Sequence, residues 1–502
     1  MWYNTIYANF CGRQDAAKDR ERKRETANIK GEKNMGSNKG QSKKLIAFLV
    51  CFTIMSAFAS MYYDTWVKSY NEAMKDPFWN LGNILMALVY ATIYVVITRS
   101  INGFKVTYMR ASGLFGSQLL GIGMTNFITF VQISLIGRGR LPIKPLLILT
   151  GQEVAIALGW SICCSLMFKL IYPPRKLIIV YGNHNTETLI KKMSKRRDRY
   201  EICESVSCDE DIEVIKERIL KYDSVIISDV PSAMRNKLLK FSVDKSIRIY
   251  VTPKISDIII RGSEDFNLFD TPLLLNRNDG LSLSQRFMKR AMDIILVLIA
   301  IVIASPFMIA ASLAIKLYDR GPVLYKQKRL TVGGREFDVY KFRSMVVDAE
   351  KKGEAKLAGK HDDRITPVGR VIRAIRFDEL PQLFNILKGE MSFVGPRPER
   401  PELHYKYEQS MPEFRYRLKV KAGLTGYAQV IGKYNTTPYD KLKLDLMYIE
   451  KQSFLLDIKI IMMTVKIVFA PEATEGVTGE MVETYRELHP QRDQKELDQI
   501  LK

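Results

Sequence analysis

Between Arg376 and Arg400 the chain sets two adjacent carboxylates, Asp378 and Glu379, among the guanidiniums of Arg376, Arg397 and Arg400. An aspartate beside a second carboxylate and several forked cations is suited to attack on phosphorus, with the guanidiniums holding phosphate oxygens. Pro381 fits only the first turn of a helix, where its missing N–H is not needed. The spacing therefore predicts a helix from about Asp378 through Leu383 and Ile386 to a stop at Gly389. The plainer reading is that Asp378 merely caps this helix and Glu379 sits favourably in its first turn. Upstream, Arg370, Arg373 and Arg376 recur every third residue, which puts them on one face of a short helix approaching the dyad. Such a stripe is often just solvated; beside a carboxylate dyad and a Pro-Arg-Pro turn, anion binding is the stronger reading.

The run DELPQL at 378–383, followed by KGEMSFVGPRPERPE at 388–402, resembles the bacterial sugar transferase family, the monotopic polyprenol-phosphate phosphoglycosyl transferases. The resemblance implies that Asp378 is the nucleophile and that Glu379 serves Mg2+ and proton chemistry. Gly321–Arg329 and Phe337–Met345 read as two extended runs joined at Gly333-Gly334, a hairpin signal. They are similar to the family's Gly-Pro-Val…Gln-x-Arg and Tyr-Lys-Phe-Arg-Ser/Thr-Met motifs. Arg343 then has two readings, a solvated strand end or a phosphate contact, and the match favours the second. Lys421–Val430 resembles Lys-Pro-Gly-Leu-Thr-Gly-Trp-Ala-Gln-Val, with Ala422 and Tyr427 as departures. Tyr427 could stack on a base or sugar, or simply pack. The resemblance thus implies Arg343, Arg373, Arg376 and Arg397 as phosphate ligands. Gln382, Arg400, Tyr427 and Gln429 are candidates for the sugar and nucleotide side. It is strong over about residues 284–470.

The rest of the chain must hold that site. At 502 residues two to four domains are expected. The formal net charge of +22 fits nucleic acid, anionic lipid or anionic substrate, and the apolar runs decide for the membrane. Six scattered cysteines and four histidines show neither a zinc spacing nor a disulfide framework. Residues 1–43 are polar and basic and read as a disordered tail. Four apolar segments follow, Leu45–Tyr63, Leu81–Thr98, Leu114–Ile136 and Pro145–Leu170, each long enough to cross a hydrocarbon core of about 30 Å. Loop charges favour an in-out-in-out-in path, except that the third loop, with Arg138, Arg140 and Lys144, is basic although the path makes it external. Glu153, inside the fourth segment, is either functional or faces a helix partner, with the structural role favoured. From Lys176 to about Asn278, β-branched runs at Leu177–Val180, Tyr200–Val206, Val225–Asp229 and Ile247–Val251 alternate with charged helical stretches, the pattern of a parallel sheet. The turn after the first run, Gly182 to Thr186, lacks the glycine fingerprint of a dinucleotide site.

Ile294–Ile315 has spanning length, yet Ser305-Pro306 interrupts it and both flanks are basic. A crossing would place one basic cluster outside, whereas a bent helix dipping into the inner leaflet leaves both at anionic head groups. A re-entrant helix with a Ser-Pro break is also what the resemblance implies. Gly353–Asp362 reads as a mobile loop near the site.

The expected architecture is a membrane protein with a basic tail (1–43), a four-helix transmembrane bundle (44–172) and a Rossmann-like α/β cytoplasmic domain (173–280). A mixed α/β catalytic domain with a re-entrant helix (281–470, the helix at about 284–318) and a charged tail (471–502) complete it. The resemblance implies transfer of a sugar-1-phosphate from a UDP-sugar to polyprenyl (undecaprenyl) phosphate through a phosphosugar-aspartyl intermediate. That reaction would release UMP and start a lipid-linked glycan at the cytoplasmic face of a bacterial inner membrane. Expected partners are those substrates, inner-leaflet anionic lipids and a second copy of the chain, with no nucleic acid. The rival is a non-enzymatic membrane module with an α/β sensor, which would have no use for the dyad.

Overall fold

The computed structural model describes residues 42–137, 142–182, 189–190, 193, 196, 198–276, 280–346, 364–432 and 436–468. The expectations for the basic tail up to residue 41, for Arg138 and Arg140, for the turn from Asn183 to Thr186, for the Gly353–Asp362 loop and for the charged C-terminal tail lie outside them. Two compact units divide the chain, Met1–Thr252 and Pro253–Lys502. Among the described residues, five helices are long and apolar enough to cross a membrane, which marks the chain as a membrane protein.

Four of those helices lie in the first unit: α1 Ser42–Asn71, α2 Asn80–Ser100, α3 Ala111–Ile136 and α4 Lys144–Ile171. On α1 a residue every fourth position, Ile54, Phe58, Tyr62, Trp66 and Tyr70, is buried, a stripe that faces one core shared by all four helices. Tyr62 stacks on Tyr90 with ring centroids 4.3 Å apart. The fully buried Glu153 accepts hydrogen bonds from the Tyr90 hydroxyl at 2.5 Å and the Asn126 amide at 2.8 Å. Three helices therefore share its polar load, as burial of a carboxyl in a helical core requires.

After them in the chain the alternating pattern becomes a separate α/β part. Its sheet has the order β2-β1-β3-β4, all parallel, from β1 Arg175–Tyr181, β2 Tyr200–Ser207, β3 Ser224–Ser228 and β4 Arg248–Val251. Helices α5 Ile212–Ile219 and α6 Ser232–Asp244 lie between strands and close the core around Ile178, Val180, Val225 and Ile227.

In the second unit, α7 Ile255–Arg261 and a hairpin of β5 Glu264–Leu268 with β6 Thr271–Leu275 precede α8, Leu283–Asp319. Helix α8 has 37 residues, about 55 Å of axis, and it opens on a capping box between Ser282 and Gln285. It stays helical through Pro306. That proline has no N–H for the carbonyl four residues back, and the Ser305 hydroxyl donates to that same carbonyl, Val302, at 2.9 Å. The Ser-Pro pair thus keeps the carbonyl satisfied. One face of α8 is buried along both halves. Val297 and Ala304 pack with Phe337, Val339, Leu383 and Ile386, whereas Ala311 and Ile315 pack with Phe342 and Ile372.

Strands β7 Leu324–Leu330 and β8 Glu336–Phe342 form the antiparallel hairpin that the glycine pair signals, with Leu330 opposite Glu336. Helix α9, Pro367–Ala374, starts on a Thr366 cap and lies so close to the end of β8 that a side chain at Gly369 would collide with the Ser344 carbonyl. A 3₁₀ turn, Phe377–Glu379, leads to α10, Gln382–Lys388, which ends on Gly389 at φ +85°. Short parallel strands β9 Ser392–Val394 and β10 Gly423–Thr425 bracket α11 Pro401–Ser410 and a 3₁₀ stretch, Pro412–Lys419. Helices α12 Tyr427–Ile431, α13 Pro438–Ile449 and α14 Phe454–Val468 complete the unit.

Candidate active site

The dyad sits one step ahead of where the sequence pattern puts it. Asp378 and Glu379 occupy the 3₁₀ turn, and α10 begins only at Gln382, so neither carboxylate lies at an α-helical N-terminus. Arg376 also departs from the expected stripe. Helix α9 ends at Ala374, and Arg376 adopts the left-handed region at φ +57°. That conformation costs a residue other than glycine about 1–2 kcal/mol, and it turns the chain sharply just before the dyad.

Three anchors fix that turn. Phe377 packs edge-to-face on Phe307 of α8, ring centroids 5.6 Å apart, immediately after the Ser305-Pro306 break. Arg290, near the start of α8, donates to the Ile386 and Leu387 carbonyls at 2.7 and 2.8 Å and so caps the end of α10. Between these, the fully buried Asn385 works like a strand partner. Its side-chain oxygen accepts from the Tyr340 N–H at 3.0 Å, and its amide donates to the Asp338 carbonyl and to Glu390, each at 2.7 Å. The dyad is thereby registered against β8, the strand that carries Lys341.

Glu379 is the electrostatic centre. Its Oε1 is 2.7 Å from Arg397 Nη2 and 3.7 Å from Lys341 Nζ. Burial alone would raise its pKa, but Arg397, Lys341 and the hydrogen bond from Arg397 outweigh that and hold it near about 2. Asp378 moves the other way. Burial and the neighbouring Glu379 charge raise it, against the pull of Lys341 and Arg373. Lys341 is itself lowered by burial, opposed by Glu379. Two carboxylates with divergent proton affinities in one turn can serve different roles, a fixed anion and a more basic nucleophile.

Of the residues singled out from sequence, Asp378, Glu379, Arg373, Arg376 and Arg397 act on one another here. Arg343 does not point the expected way. It is buried and its Nη2 pairs with Asp319 at the end of α8, tying that helix to the end of β8, while Nη1 lies against Gly321. Gln382 is buried at the start of α10. Arg400 lies in the positive surroundings of Arg329. Tyr427 packs in a cluster with Val394, Tyr448 and Ile460, which favours the packing reading. Gln429 donates to the Leu424 carbonyl at 3.3 Å.

Lys341 is a site residue that the motif reading passed over. It stands two positions before Arg343 within the same quoted motif, and nothing in the sequence marks it, rather than Arg343, as the one that reaches the dyad.

A half-buried carboxylate dyad in a cationic nest thus lies on a turn packed against a long apolar helix. Residues 284–471 match the family model for bacterial sugar transferase. The chain is 43% identical over 185 residues to a UDP-N-acetylgalactosamine-undecaprenyl-phosphate N-acetylgalactosaminephosphotransferase of Aeromonas hydrophila, covering 36% of this chain and 44% of that one. It is 40% identical over 228 residues to an undecaprenyl-phosphate glucose phosphotransferase of Komagataeibacter xylinus, covering 43% and 42%. A UDP-glucose:undecaprenyl-phosphate glucose-1-phosphate transferase of Caulobacter vibrioides is 38% identical over 182 residues, 35% of this chain and 68% of the relative. The match spans less than half the length of the first two relatives. The chain belongs to the bacterial sugar transferase family.

Proposed function

We propose that the chain is a phosphoglycosyl transferase that moves a sugar-1-phosphate from a UDP-sugar to polyprenyl (undecaprenyl) phosphate and initiates a lipid-linked glycan. The observation that carries this reading is the Phe307–Phe377 contact, which sets the dyad's turn directly against the middle of an apolar helix. In the proposed reaction an Asp378 carboxylate oxygen attacks the β-phosphorus of the UDP-sugar. The bond from that phosphorus to the oxygen of the departing UMP breaks, leaving the phosphosugar on Asp378. A phosphate oxygen of the lipid then attacks the same phosphorus, and the Asp378–phosphorus bond breaks to regenerate the carboxylate. The raised proton affinity of Asp378 makes it the better nucleophile of the two, and Glu379 stays ionised beside it. Arg397, Arg376, Arg373 and Lys341 would hold phosphate oxygens, with Gln382 and Arg400 at the sugar and nucleotide side.

Among the described residues no group of three or more His, Cys, Asp or Glu could hold a metal ion by itself. A cation that keeps much of its water and takes one or two carboxylates plus substrate phosphates suits Glu379, so these residues fit Mg2+. Bound there, it would neutralise charge on the diphosphate.

The same reading makes α1–α4 a transmembrane bundle, the parallel sheet a Rossmann-like cytoplasmic domain, and α8 a re-entrant helix in the inner membrane of a bacterium. Packing of both halves of α8 against β8, α9 and α10 supports the last point, since a crossing helix would carry one half away from them. Inner-leaflet anionic lipids would meet the basic flanks, and a second copy of the chain remains an expected partner.

Incubation of the purified protein with a panel of UDP-sugars labelled at the β-phosphate tests the chemistry. Label should become covalently attached to Asp378, be discharged by undecaprenyl phosphate and be absent from Asp378→Asn. Substantial UMP release by that variant would refute the covalent step.

A further inference from the structure

The turn that carries Arg397 has almost no internal means of holding its shape. Pro396 and Pro398 lack N–H groups, and their rings fix φ but leave ψ free. Its four consecutive carbonyls are instead all held from outside. Pro396 accepts from the Gly423 N–H at 2.9 Å and Glu399 from the Leu330 N–H at 3.1 Å. Pro398 accepts from Arg329 Nη1 at 3.2 Å, and Arg397 itself accepts from Arg417 Nη2 at 3.0 Å.

Arg417 is only 3% exposed and is fixed on three sides. Its Nε donates to Asp445 Oδ2 of α13 at 2.6 Å, its Nη1 lies 3.8 Å from Glu399 Oε1, and its guanidinium stands 4.7 Å from the centre of the Phe414 ring. Lys441 pairs with the same Glu399 oxygen. We infer that Arg417, oriented by Asp445, is a positioning residue that sets the backbone of the Pro396–Pro398 turn and hence the reach of Arg397 to Glu379. A buried ion pair is a weak source of stability, and apolar replacements of similar volume are often as stable. What an apolar pair cannot supply is the second arm of a planar fork, aimed at the Arg397 carbonyl while the first is held by Asp445.

The catalytic part of this inference rests on the phosphoglycosyl transferase reading; the geometric part does not, and the experiment separates them. The double variant Arg417→Met/Asp445→Leu of the full chain keeps the volume and removes the donor. Arg417→Lys, which keeps the charge against Asp445 but loses the second arm, serves if the double variant fails to fold. Hydrogen exchange of the peptide carrying Gly395, Arg397, Glu399 and Arg400 should quicken at least ~10-fold in either variant, with α10 unchanged. In parallel, kcat/KM for UMP release should fall ~10²-fold, as a displacement of about 1 Å can cause. Unchanged exchange in that peptide overturns the inference even if the protein releases no UMP from any UDP-sugar. Faster exchange with unchanged kcat/KM in an active protein overturns the positioning role. Absence of activity in the unmodified protein counts against the transferase reading alone.

Discussion

Replacing Lys341 with Met tests the electrostatic design of the site most directly. The ammonium lies 3.7 Å from Glu379 and also lowers the proton affinity of Asp378. At that separation and an effective dielectric constant of about 20, the attraction to Glu379 is about 4 kcal/mol. That attraction is present before and during reaction and sets the resting charge balance, whereas loss of one proposed phosphate-holding donor costs about 10²–10³ in rate, the fall expected in kcat/KM. Methionine preserves the length and apolar stem, which keeps β8 packing intact. The pH profile carries the sharper signal. Lys341 favours the ionised form of both Asp378 and Glu379, so its removal raises both, and a nucleophile that must be ionised is then lost earlier as pH falls. The acid limb of kcat/KM for UMP release should therefore move to higher pH in Lys341→Met. A loss of rate with an unmoved limb, or less than about a threefold loss overall, would refute this account.

Asp378→Asn should abolish turnover and at the same time raise the thermal midpoint at pH 7. A carboxyl whose folded pKa lies above its ordinary 3.8 costs stability as pH rises through that interval, and the neutral amide removes the cost. Each kcal/mol so relieved is worth about 2–4 °C in a domain of this size. Below pH 3.8 the two midpoints should converge, and a lower midpoint for the variant at pH 7 would contradict it. For topology, single cysteines at Phe287 and Leu317, exposed residues near the two ends of α8, should both resist impermeant reagents from outside and react from inside. Labelling of either from outside would end the re-entrant reading.

Much of this fold could be read from the chain because its signals are local. The five apolar runs, the period of the α/β segment and the Gly333-Gly334 turn each report on a dozen residues at a time, and each became an element, the first helix running eight residues past its expected end at Tyr63. The dyad was legible for the same reason, since two carboxylates among arginines need no tertiary knowledge to notice. What escaped was set by distant partners. The stripe of Arg370, Arg373 and Arg376 presumed a helix two residues longer, but the chain leaves it at Ala374, and Phe377 packs on Phe307, seventy positions earlier in the chain. Arg343 looked like a phosphate ligand by its motif, and nothing near it in sequence announces Asp319 as its partner across the hairpin and helix end. Asn385 reads as an ordinary helical residue until its amide is seen bridging two backbone groups of β8.

These escapes share a cause that bears on how the site works. The charged groups of the dyad's surroundings do not choose their own positions. Asp378 and Glu379 ride on a turn held by an aromatic contact to the apolar helix, Lys341 on a strand held by Asn385, and Arg397 on a turn held by Arg417 and Arg329. Each catalytic candidate is thus placed by a neutral or remote anchor, and every anchor but the aromatic one is a partly buried hydrogen bond to backbone. Such bonds cost little to make and much to leave unmade. Under the proposed phosphate chemistry, such anchoring would fix the charges in advance, the condition under which they stabilise a developing charge most strongly.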